Sequence, residues 1–542
     1  MAEATDVFIA GTGPVGAAYA RIILQTNPAL RVTMADVGSQ DGPVIGVHHK
    51  NSIKYQKDID QFVNVIKGAI QPISIPPQDT LISNLGGQGW RPPEGEALIF
   101  HGSNPNQQPL LNLKGSGITR AVGGMGTHWT CNCPVPHENE RRQLESVIPG
   151  DVLTGLLGEA GTLLNINDDQ FDKSVRQIVV KKSLESFGDR VQKMALAVKR
   201  RTDNPDYVTW TGPDTILGDV VGNPNFKLLT EHLVVKVVIS EGDPGMISGV
   251  SLRDLTKKEN SERLVTAKAV ILCCGAIPTP QILFNSGIRP DPLGRYLSEQ
   301  SLTFCQVVLR QANIDAIPRG PPWGEFEPVG DAILKHIEDY QGDPLPIPFT
   351  DPDPQLMMTY SPERPWHVQI HHDAFSYGEI GPRADSRVVV DIRCFGPQEI
   401  QRDNRVTFPP QDLFRQWVPG IQDIYGMPQP TFEVRRSKSD HDNDQKMMAE
   451  MTQIADLLGS YLPGSYPQFM EPGLALHITG TTRIGTSANE SVADANSKVH
   501  GFKNLWVGGN GCIPDATACN PTRTSVAIAI KGARAVLQYL RQ

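Results

Sequence analysis

The N-terminal segment carries three glycines whose spacing suits a bound dinucleotide. They form Gly11-Thr-Gly13-Pro-Val-Gly16, which follows the apolar run of residues 6–10 and precedes the helical pattern AAYARIILQ. The first glycine permits a tight turn, the second lets the backbone approach a pyrophosphate, and the third lets helix and strand pack closely. The phosphate charge would lie at the helix N-terminus. The motif therefore predicts a dinucleotide site at this turn.

Asp36 extends this motif, because it follows the next strand-like run, RVTMA, and stands 20 residues after Gly16. A carboxylate at that point can accept hydrogen bonds from both hydroxyls of a ribose. Alternatively, an acidic side chain at a strand end can be exposed to solvent and have no ligand. The glycine motif alone does not distinguish a nicotinamide dinucleotide from a flavin dinucleotide.

A histidine suited to a different chemistry lies within residues 119–133, TRAVGGMGTHWTCNC. His128 follows three glycines that allow close approach of the backbone, with Thr127 before it and Thr130 shortly after. An imidazole nitrogen beside a flavin can bond to the methyl group at C8, and this bond retains the cofactor and raises its reduction potential. Thr130 could hydrogen-bond the N5 or O4 edge of the ring. Most histidines, however, are surface or structural residues.

A flavin with a raised reduction potential can take hydride from an alcohol. That reaction requires a base for the hydroxyl proton, and histidine has a suitable pKa. The chain has 13 histidines, so chemistry alone does not select one. His477 lies in LALHITG, an apolar segment that predicts a strand running into a glycine turn. Asn520 lies in ACNPT, before the predicted last helix. Its amide could hold a hydroxyl beside the base, or it could cap the helix.

The elements that would position these residues follow from hydrophobic patterning. Strand-like runs alternate with helical patterns near both ends of the chain, at residues 7–10, 31–35, 234–239, 269–273 and 505–507. This alternation predicts βα units and a parallel sheet. Residues 300–475 are richer in proline and aromatics, and alternating runs such as SRVVVDIR at 386–393 predict an antiparallel sheet. We expect an α/β protein (α+β overall) whose nucleotide-binding domain is interrupted by a substrate domain.

Composition excludes several other classes of protein. The net charge of -9 argues against nucleic-acid binding, and no apolar run reaches the ~20 residues that cross a bilayer. No signal peptide is recognisable, which predicts a cytoplasmic protein or one exported unconventionally. The eight cysteines form neither a disulfide framework nor a zinc-site spacing, so we expect buried thiols and no metal.

Several segments resemble the glucose–methanol–choline oxidoreductase family, and in particular its sugar-oxidising members. GITRAVGGMGTHWTC resembles the flavin-attachment segment, and AVILCCGAIPTPQILFNSGI resembles the second family signature. PLPIPFTDPDPQ, HDAFSYG, LPGSYPQFMEPG and GFKNLWVGGNGCIP match family blocks in the same order, so the resemblance spans nearly the whole chain. It implies FAD bound covalently through His128, and His477 with Asn520 as the catalytic pair. Further cofactor contacts are implied at Thr127, Thr130, Gly275, Asn510, Pro521 and Thr522.

The resemblance also implies a sugar site around Gln369–Gly378, written QIHHDAFSYG. This segment interleaves polar groups for sugar hydroxyls with rings for C–H surfaces. Sugar contacts are implied at Gln369, His371, Asp373 and Arg393, and a gating loop is implied at Phe375 and Tyr377.

A domain division follows from the resemblance and the patterning together. A Rossmann-like FAD-binding domain would comprise residues 1–42, 110–135, 225–300 and 480–542, with residues 136–224 and 301–479 forming the substrate domain. Residues 43–109 resemble a subunit-contacting arm, which implies a homo-oligomer, a homotetramer in the family. Residues 313–343 resemble a shortened head region.

The implied reaction is oxidation of an aldopyranose such as D-glucose at C2, with electrons passed to dioxygen, giving hydrogen peroxide, or to a quinone. One alternative is oxidation at C3 of a glucoside or C-glycoside by the same flavin chemistry. A second is a non-catalytic flavin-binding protein, which would have no use for His477 and Asn520. A third is a nicotinamide-linked dehydrogenase, which the glycine-lined His128 disfavours.

Overall fold

The structure is a computed structural model that describes residues 3–51, 66, 69–76, 103–205, 207–257, 261–372, 384–409 and 421–542. Its strands are β1 (Glu3–Ala10), β2 (Val32–Ala35), β3 (Ile70–Pro72), β4 (Gly117–Thr119), β5 (Ile166–Asn167), β6 (Val191–Lys193), β7 (Leu196–Arg200), β8 (Val208–Trp210), β9 (Phe226–Leu229), β10 (His232–Ile239), β11 (Ile247–Asp254), β12 (Glu262–Leu272), β13 (Ser301–Leu309), β14 (Gln355–Met358), β15 (His367–His371), β16 (Val389–Gly396), β17 (Arg405–Thr407), β18 (Thr431–Glu433), β19 (Gly459–Tyr461), β20 (Gln468–Phe469) and β21 (Leu505–Val507).

The α-helices of these residues are α1 (Pro14–Thr26), α2 (Arg142–Val147), α3 (Gly150–Leu163), α4 (Val175–Ser183), α5 (Pro213–Leu217), α6 (Pro278–Asn285), α7 (Gln311–Asp315), α8 (Gly330–Asp339), α9 (Lys438–Leu458) and α10 (Thr522–Leu540). Two large sheets organise them, and the mixed α/β architecture confirms the expected fold class.

The first sheet forms the nucleotide-binding core. Its parallel strands run in the order β9-β2-β1-β12-β21. Their apolar runs are buried on both faces, as parallel sheets require, and residues 7–10 of β1 have no exposed surface. The predicted strands at 7–10, 31–35, 269–273 and 505–507 are therefore confirmed as parallel. The segment 234–239 differs: it lies in β10, which pairs antiparallel with β11 through a short turn, because no crossover helix follows it.

Helices cover the first sheet and join distant parts of the sequence. The last helix, α10, packs against both α1 and α3. Leu153, Leu156 and Leu157 of α3 belong to the same apolar core as β1. Residues 150–163 therefore pack with the nucleotide-binding core, although the domain division above places them in the substrate domain. The apolar stripe of α3 explains this position, since it has to be buried against another element.

The second sheet is antiparallel, in the order β19-β13-β16-β15-β14-β6, with β20 also pairing with β13. This confirms the antiparallel sheet expected between residues 300 and 475. Its back face packs on α9, with Val368, Ile370 and Ile392 in one apolar core with Met447 and Met451. On the opposite face, His367, Gln369 and His371 of β15 and Asp391 and Arg393 of β16 are polar and equally buried. One face of this sheet therefore supports the fold, and the other presents polar groups.

Three expectations from composition concern the thiols, a metal site and a membrane span. All eight cysteines are free thiols, and only Cys274 is not fully buried. Across the described residues, no cluster of three or more histidine, cysteine or acidic side chains could hold a metal ion. None of the described helices has both the length and the apolar character that a bilayer crossing needs.

Most of the arm segment, residues 43–109, lies outside the described residues, so the homotetramer stays a prediction.

Candidate active site

A long cleft runs along the carboxyl edge of the first sheet and collects the predicted nucleotide-binding residues. Its walls include Gly11, Gly13, Asp36, residues 116–120 and 273–278, Asn510 and Thr522. Gly16 lies beneath the turn, where a Cβ would come within 2.1 Å of the carbonyl oxygen of Gly11. Glycine is therefore required there for close packing of α1.

The cleft wall fits a bound dinucleotide because glycines leave it open. A Cβ on Gly13, Gly275 or Gly509 would meet no atom closer than 3.8 Å, so it would project into the cleft itself. Gly275 and Gly509 also have φ values of 97° and 113°, which other residues rarely adopt. A ligand backbone can approach the protein backbone at all three points. The residues present thus suit FAD along the whole cleft.

Asp36 lies where the sequence predicts the ribose. One oxygen accepts hydrogen bonds from the backbone N–H of Thr12 at 3.1 Å and from its hydroxyl at 2.5 Å. The other oxygen accepts the N–H of Gly38 at 2.9 Å. Burial raises the pKa of Asp36 above its usual value. These contacts fix the carboxylate at the cleft wall, while its contact with a ribose stays a prediction.

His128 lies at the end of a short 3-10 helix, Gly124–Thr127, and is almost completely buried. Its Nε2 lies 2.8 Å from the hydroxyl of Thr119, and its buried Nδ1 has no hydrogen-bond partner among the described residues. Burial lowers the pKa of His128 to about 3, so the ring is neutral. A neutral ring can form a carbon–nitrogen bond, and the unsatisfied nitrogen suits a site that a cofactor completes.

The other residues predicted around this loop differ in their positions. Thr127 is buried and donates its hydroxyl hydrogen bond to the carbonyl of Gly124 at 2.9 Å, which stabilises the loop. Thr130 is half-buried, and Pro521 is the residue just before α10. Their contacts with a cofactor stay predictions.

The predicted catalytic pair is brought together from distant parts of the chain. His477 Nε2 lies 3.3 Å from Asn520 Nδ2. Asn520 Oδ1 accepts hydrogen bonds from Gln369 Nε2 at 2.8 Å and from Asn132 Nδ2 at 3.1 Å. Gln369 belongs to the polar face of the second sheet. The pair therefore lies where the two sheets meet.

Local structure around the pair differs from the sequence expectation in two respects. Residues 474–478 form a loop rather than a strand, and Leu476 has a φ of 61°, which is rare for leucine. Such strained residues concentrate at functional sites, where the surroundings hold them in place. Asn520 does not cap the last helix, because α10 begins at Thr522 and has no side-chain cap. Its amide is committed instead to His477 and Gln369.

The pKa of His477 is lowered to about 3, first by burial and then by the nearby His367. A base with a pKa near neutrality was expected, and burial explains the difference, because it disfavours the charged imidazolium. The resting imidazole is therefore neutral over the whole physiological range and can accept a proton. The ring of Phe395 packs on it, with ring centres 5.5 Å apart.

Glu299 holds the backbone of His477, and sequence reasoning missed it. Its two carboxyl oxygens accept the N–H of His477 at 3.0 and 3.2 Å, and one also accepts the N–H of Gln300 at 2.7 Å. Burial raises the pKa of Glu299 to about 8, although these hydrogen bonds oppose the shift. No sequence pattern indicates this contact, because Glu299 and His477 are 178 residues apart.

This buried acid should make stability depend on pH. The pKa of Glu299 rises from 4.5 to about 8 on folding, so its stabilising contribution is full below 4.5 and is lost as pH rises through 8. We expect Glu299→Gln to remove this part of the decline in melting temperature between about pH 5 and about pH 8. Thermal unfolding of the variant, the parent and the exposed-site control Glu338→Gln would measure it. Parallel curves for all three would show that Glu299 titrates normally.

The polar face of the second sheet carries three of the predicted sugar-binding residues. Gln369 and Arg393 are direct cross-strand neighbours, and His371 pairs in register with Asp391. A guanidinium nitrogen of Arg393 lies 3.8 Å from Asp391, and all four side chains are buried. Asp373, Phe375 and Tyr377 lie outside the described residues. The alternation in HVQIH, polar then apolar, also marks His367 as a residue of this face, which sequence reasoning left out.

A glycine-lined nucleotide cleft whose wall includes Leu476, Ile478 and Thr522, close in sequence to a buried histidine–asparagine pair, defines a cofactor-dependent oxidoreductase. Sequence models of the GMC oxidoreductase family match residues 201–302 and 420–529. The chain belongs to this family, and it is an FAD-dependent oxidoreductase. The family resemblance described above is thereby confirmed.

Individual relatives agree with this assignment. A pyranose 2-oxidase from Tricholoma matsutake is 55% identical over 99% of this chain and 94% of its own length. A C-glycoside 3-oxidase from Microbacterium trichothecenolyticum is 32% identical over 98% of this chain and 96% of its own length. Among solved structures, a formate oxidase from Aspergillus oryzae superimposes with a TM-score of 0.65 at 14% identity, covering 99% of this chain and 98% of the other. At that identity the superposition shows a shared fold.

Proposed function

We propose that the enzyme oxidises an aldopyranose such as D-glucose at C2 and passes the electrons to dioxygen or a quinone. The observation that carries this proposal is the hydrogen-bonded chain from His477 through Asn520 to Gln369, which connects a proton acceptor to a buried polar face. The 55% identity to a pyranose 2-oxidase supports the same substrate class. Two electrons and two protons leave the sugar, and dioxygen takes up both to form hydrogen peroxide.

Different residues of the chain perform proton transfer and substrate orientation in this reaction. Bound FAD supplies the acceptor for the hydride from C2. Neutral His477 accepts the hydroxyl proton at Nε2, and the Nδ2 of Asn520 donates a hydrogen bond to the same hydroxyl oxygen. Gln369, His371 and Arg393 orient the sugar from the sheet. Water is excluded because the side chains that surround the pair are buried.

We further propose that FAD is attached covalently through His128. Burial keeps this imidazole neutral, and in the part of the chain that the structure describes its Nδ1 has no hydrogen-bond partner. Residues 116–120 and Gly126 place the cleft wall beside it. The attachment would retain the cofactor and favour the removal of hydride from an unactivated alcohol.

A second candidate reaction is oxidation at C3 of a glucoside or C-glycoside. The C-glycoside 3-oxidase relative, 32% identical over nearly the whole chain, supports it. Both reactions use the same proton acceptor, so they differ only in which carbon lies at the reacting position. A displacement of the bound sugar by about 1 Å can change the rate of hydride transfer by about 10²-fold. The polar side chains that orient the sugar therefore determine which carbon is oxidised.

Product analysis distinguishes the two reactions. We expect D-glucose to give the 2-keto sugar, because the chain resembles C2-oxidising enzymes over nearly its full length. Separate incubations with glucose labelled with carbon-13 at C2 or at C3, followed by NMR, would identify the oxidised carbon. Loss of the C3 carbinol signal would favour the second reaction. Full retention of both carbinol signals, with flavin bound, would contradict the sugar-oxidase proposal.

A further inference from the structure

We propose that Gln300 is a positioning residue that fixes the tautomer of His477, placing the ring hydrogen on Nδ1 and leaving Nε2 free to accept a proton. Gln300 lies just before β13, and its Oε1 is 2.7 Å from His477 Nδ1. It does not contact the reacting atoms in this arrangement. The inference deepens the proposed function, because it concerns the same proton acceptor.

The orientation of the Gln300 amide follows from its other contacts. Its Nε2 donates hydrogen bonds to the carbonyl oxygens of Thr517 at 2.7 Å and Cys519 at 3.0 Å. Backbone carbonyl oxygens only accept hydrogen bonds, so the NH₂ end of the amide must face them. The oxygen end therefore faces His477. Since that oxygen also only accepts, His477 Nδ1 must carry the hydrogen.

The contacts on the opposite side of the ring agree with the same tautomer. Asn520 Oδ1 receives hydrogen bonds from the amide groups of Gln369 and Asn132. The NH₂ end of Asn520 therefore faces His477 Nε2, which must be an acceptor. With the ring hydrogen on Nε2, two donors would face each other at the Asn520 contact, and two acceptors would face each other at the Gln300 contact. Only the Nδ1–H tautomer satisfies both neighbours.

Gln300 also links the two members of the catalytic pair. Its carbonyl partners, Thr517 and Cys519, lie three residues and one residue before Asn520 in the chain, whereas its side-chain oxygen holds His477. Meanwhile the preceding residue, Glu299, holds the backbone of His477. Two consecutive residues at the start of one strand thus fix the backbone, ring orientation and tautomer of the base.

The first experiment replaces Gln300 with methionine, which has a similar length but cannot accept this hydrogen bond in the same way. We expect flavin reduction by sugar to slow by about 10- to 10²-fold, because general-base catalysis depends on the correct tautomer. Flavin content should stay at the parent level. Gln107→Met is the matched control, since Gln107 is a buried glutamine that bonds to Ser74 and Phe432. Equal slowing in both variants would overturn the proposal.

Nitrogen-15 NMR of histidine-labelled enzyme reads the tautomer directly, without any substrate. The His477 signals are those that disappear in His477→Ala. We expect the parent and Gln107→Met to carry the hydrogen on Nδ1, and Gln300→Met to show a mixture of tautomers. A hydrogen on Nε2 in the parent, or an unchanged pure Nδ1–H state in Gln300→Met, would overturn the proposal. This readout stays valid if the enzyme proves to act on a different substrate.

A third variant, Gln300→Glu, tests the contact by charge. A carboxylate against Nδ1 should preserve the tautomer and stabilise the imidazolium, which should raise the acid limb of the pH profile for flavin reduction by about 1–3 units. Among the described residues, the titratable groups that act on the ring or its backbone are Glu299, before β13, and His367, on β15, and the variant retains both. An acid limb at the parent position would show that residue 300 does not contact the base.

Discussion

Replacing His477 with alanine should slow the reduction of bound flavin by sugar by about 10²-fold or more, the scale expected when a general base is lost. The hydroxyl proton would lose its acceptor at the Nε2 position, because Asn520, the amide beside that position, presents its NH₂ group to it. Anaerobic stopped-flow absorbance of the flavin measures the rate constant directly. FAD binding should be retained, since His477 is not among the residues that line the cleft.

The matched control for this experiment is His500→Ala. His500 lies away from the pair and bonds to Ser491 at 2.9 Å. We expect it to reduce flavin at the parent rate. A near-parent rate in His477→Ala would exclude His477 as the base and would direct attention to His367, a buried histidine on the polar face.

Replacing His128 with alanine should convert covalent flavin into flavin that acid releases. Precipitation of the parent enzyme with acid should leave a yellow pellet, whereas the variant should leave FAD in the supernatant. The physical reason is that the other contacts of the cleft are non-covalent and are lost on unfolding. We also expect slower sugar oxidation, because the bond raises the reduction potential of the flavin.

His48→Ala is the corresponding control, since His48 is also fully buried and bonds to the carbonyl of Trp129, beside the same loop. Its pellet should stay yellow. If the parent enzyme itself released free FAD, covalent attachment would be wrong, whereas release from both variants would indicate a role for the loop rather than for His128.

The sequence predicted those parts of the site that local motifs encode. The glycine turn, Asp36 and His128 each lie in a short run whose neighbours define their setting, and the structure places the turn and Asp36 on one cleft, with the His128 loop beside it. The FAD-dependent oxidoreductase class and the mixed α/β fold are confirmed. The covalent bond and the individual sugar contacts stay predictions.

Long-range contacts were not predictable in the same way. Glu299 and Gln300 contact a histidine about 178 residues later, and neither forms part of a recognisable motif. The loop conformation at His477 and the direction of β10 depend on tertiary partners rather than on local propensity. The low pKa of His477 likewise results from burial, which hydrophobic patterning around residue 477 does not reveal.

The two-sided character of β15 restricts how this enzyme can change over evolutionary time. Inserting or deleting one residue inside the strand would reverse every side chain after that point. Polar groups such as Gln369 would then face the methionines of α9, and apolar residues would take their place beside Asn520. Single-residue insertions or deletions in this strand should therefore abolish both folding and activity. New substrate preferences are open mainly through exchanges at every second position, or through loops that enter the cleft from outside the sheet.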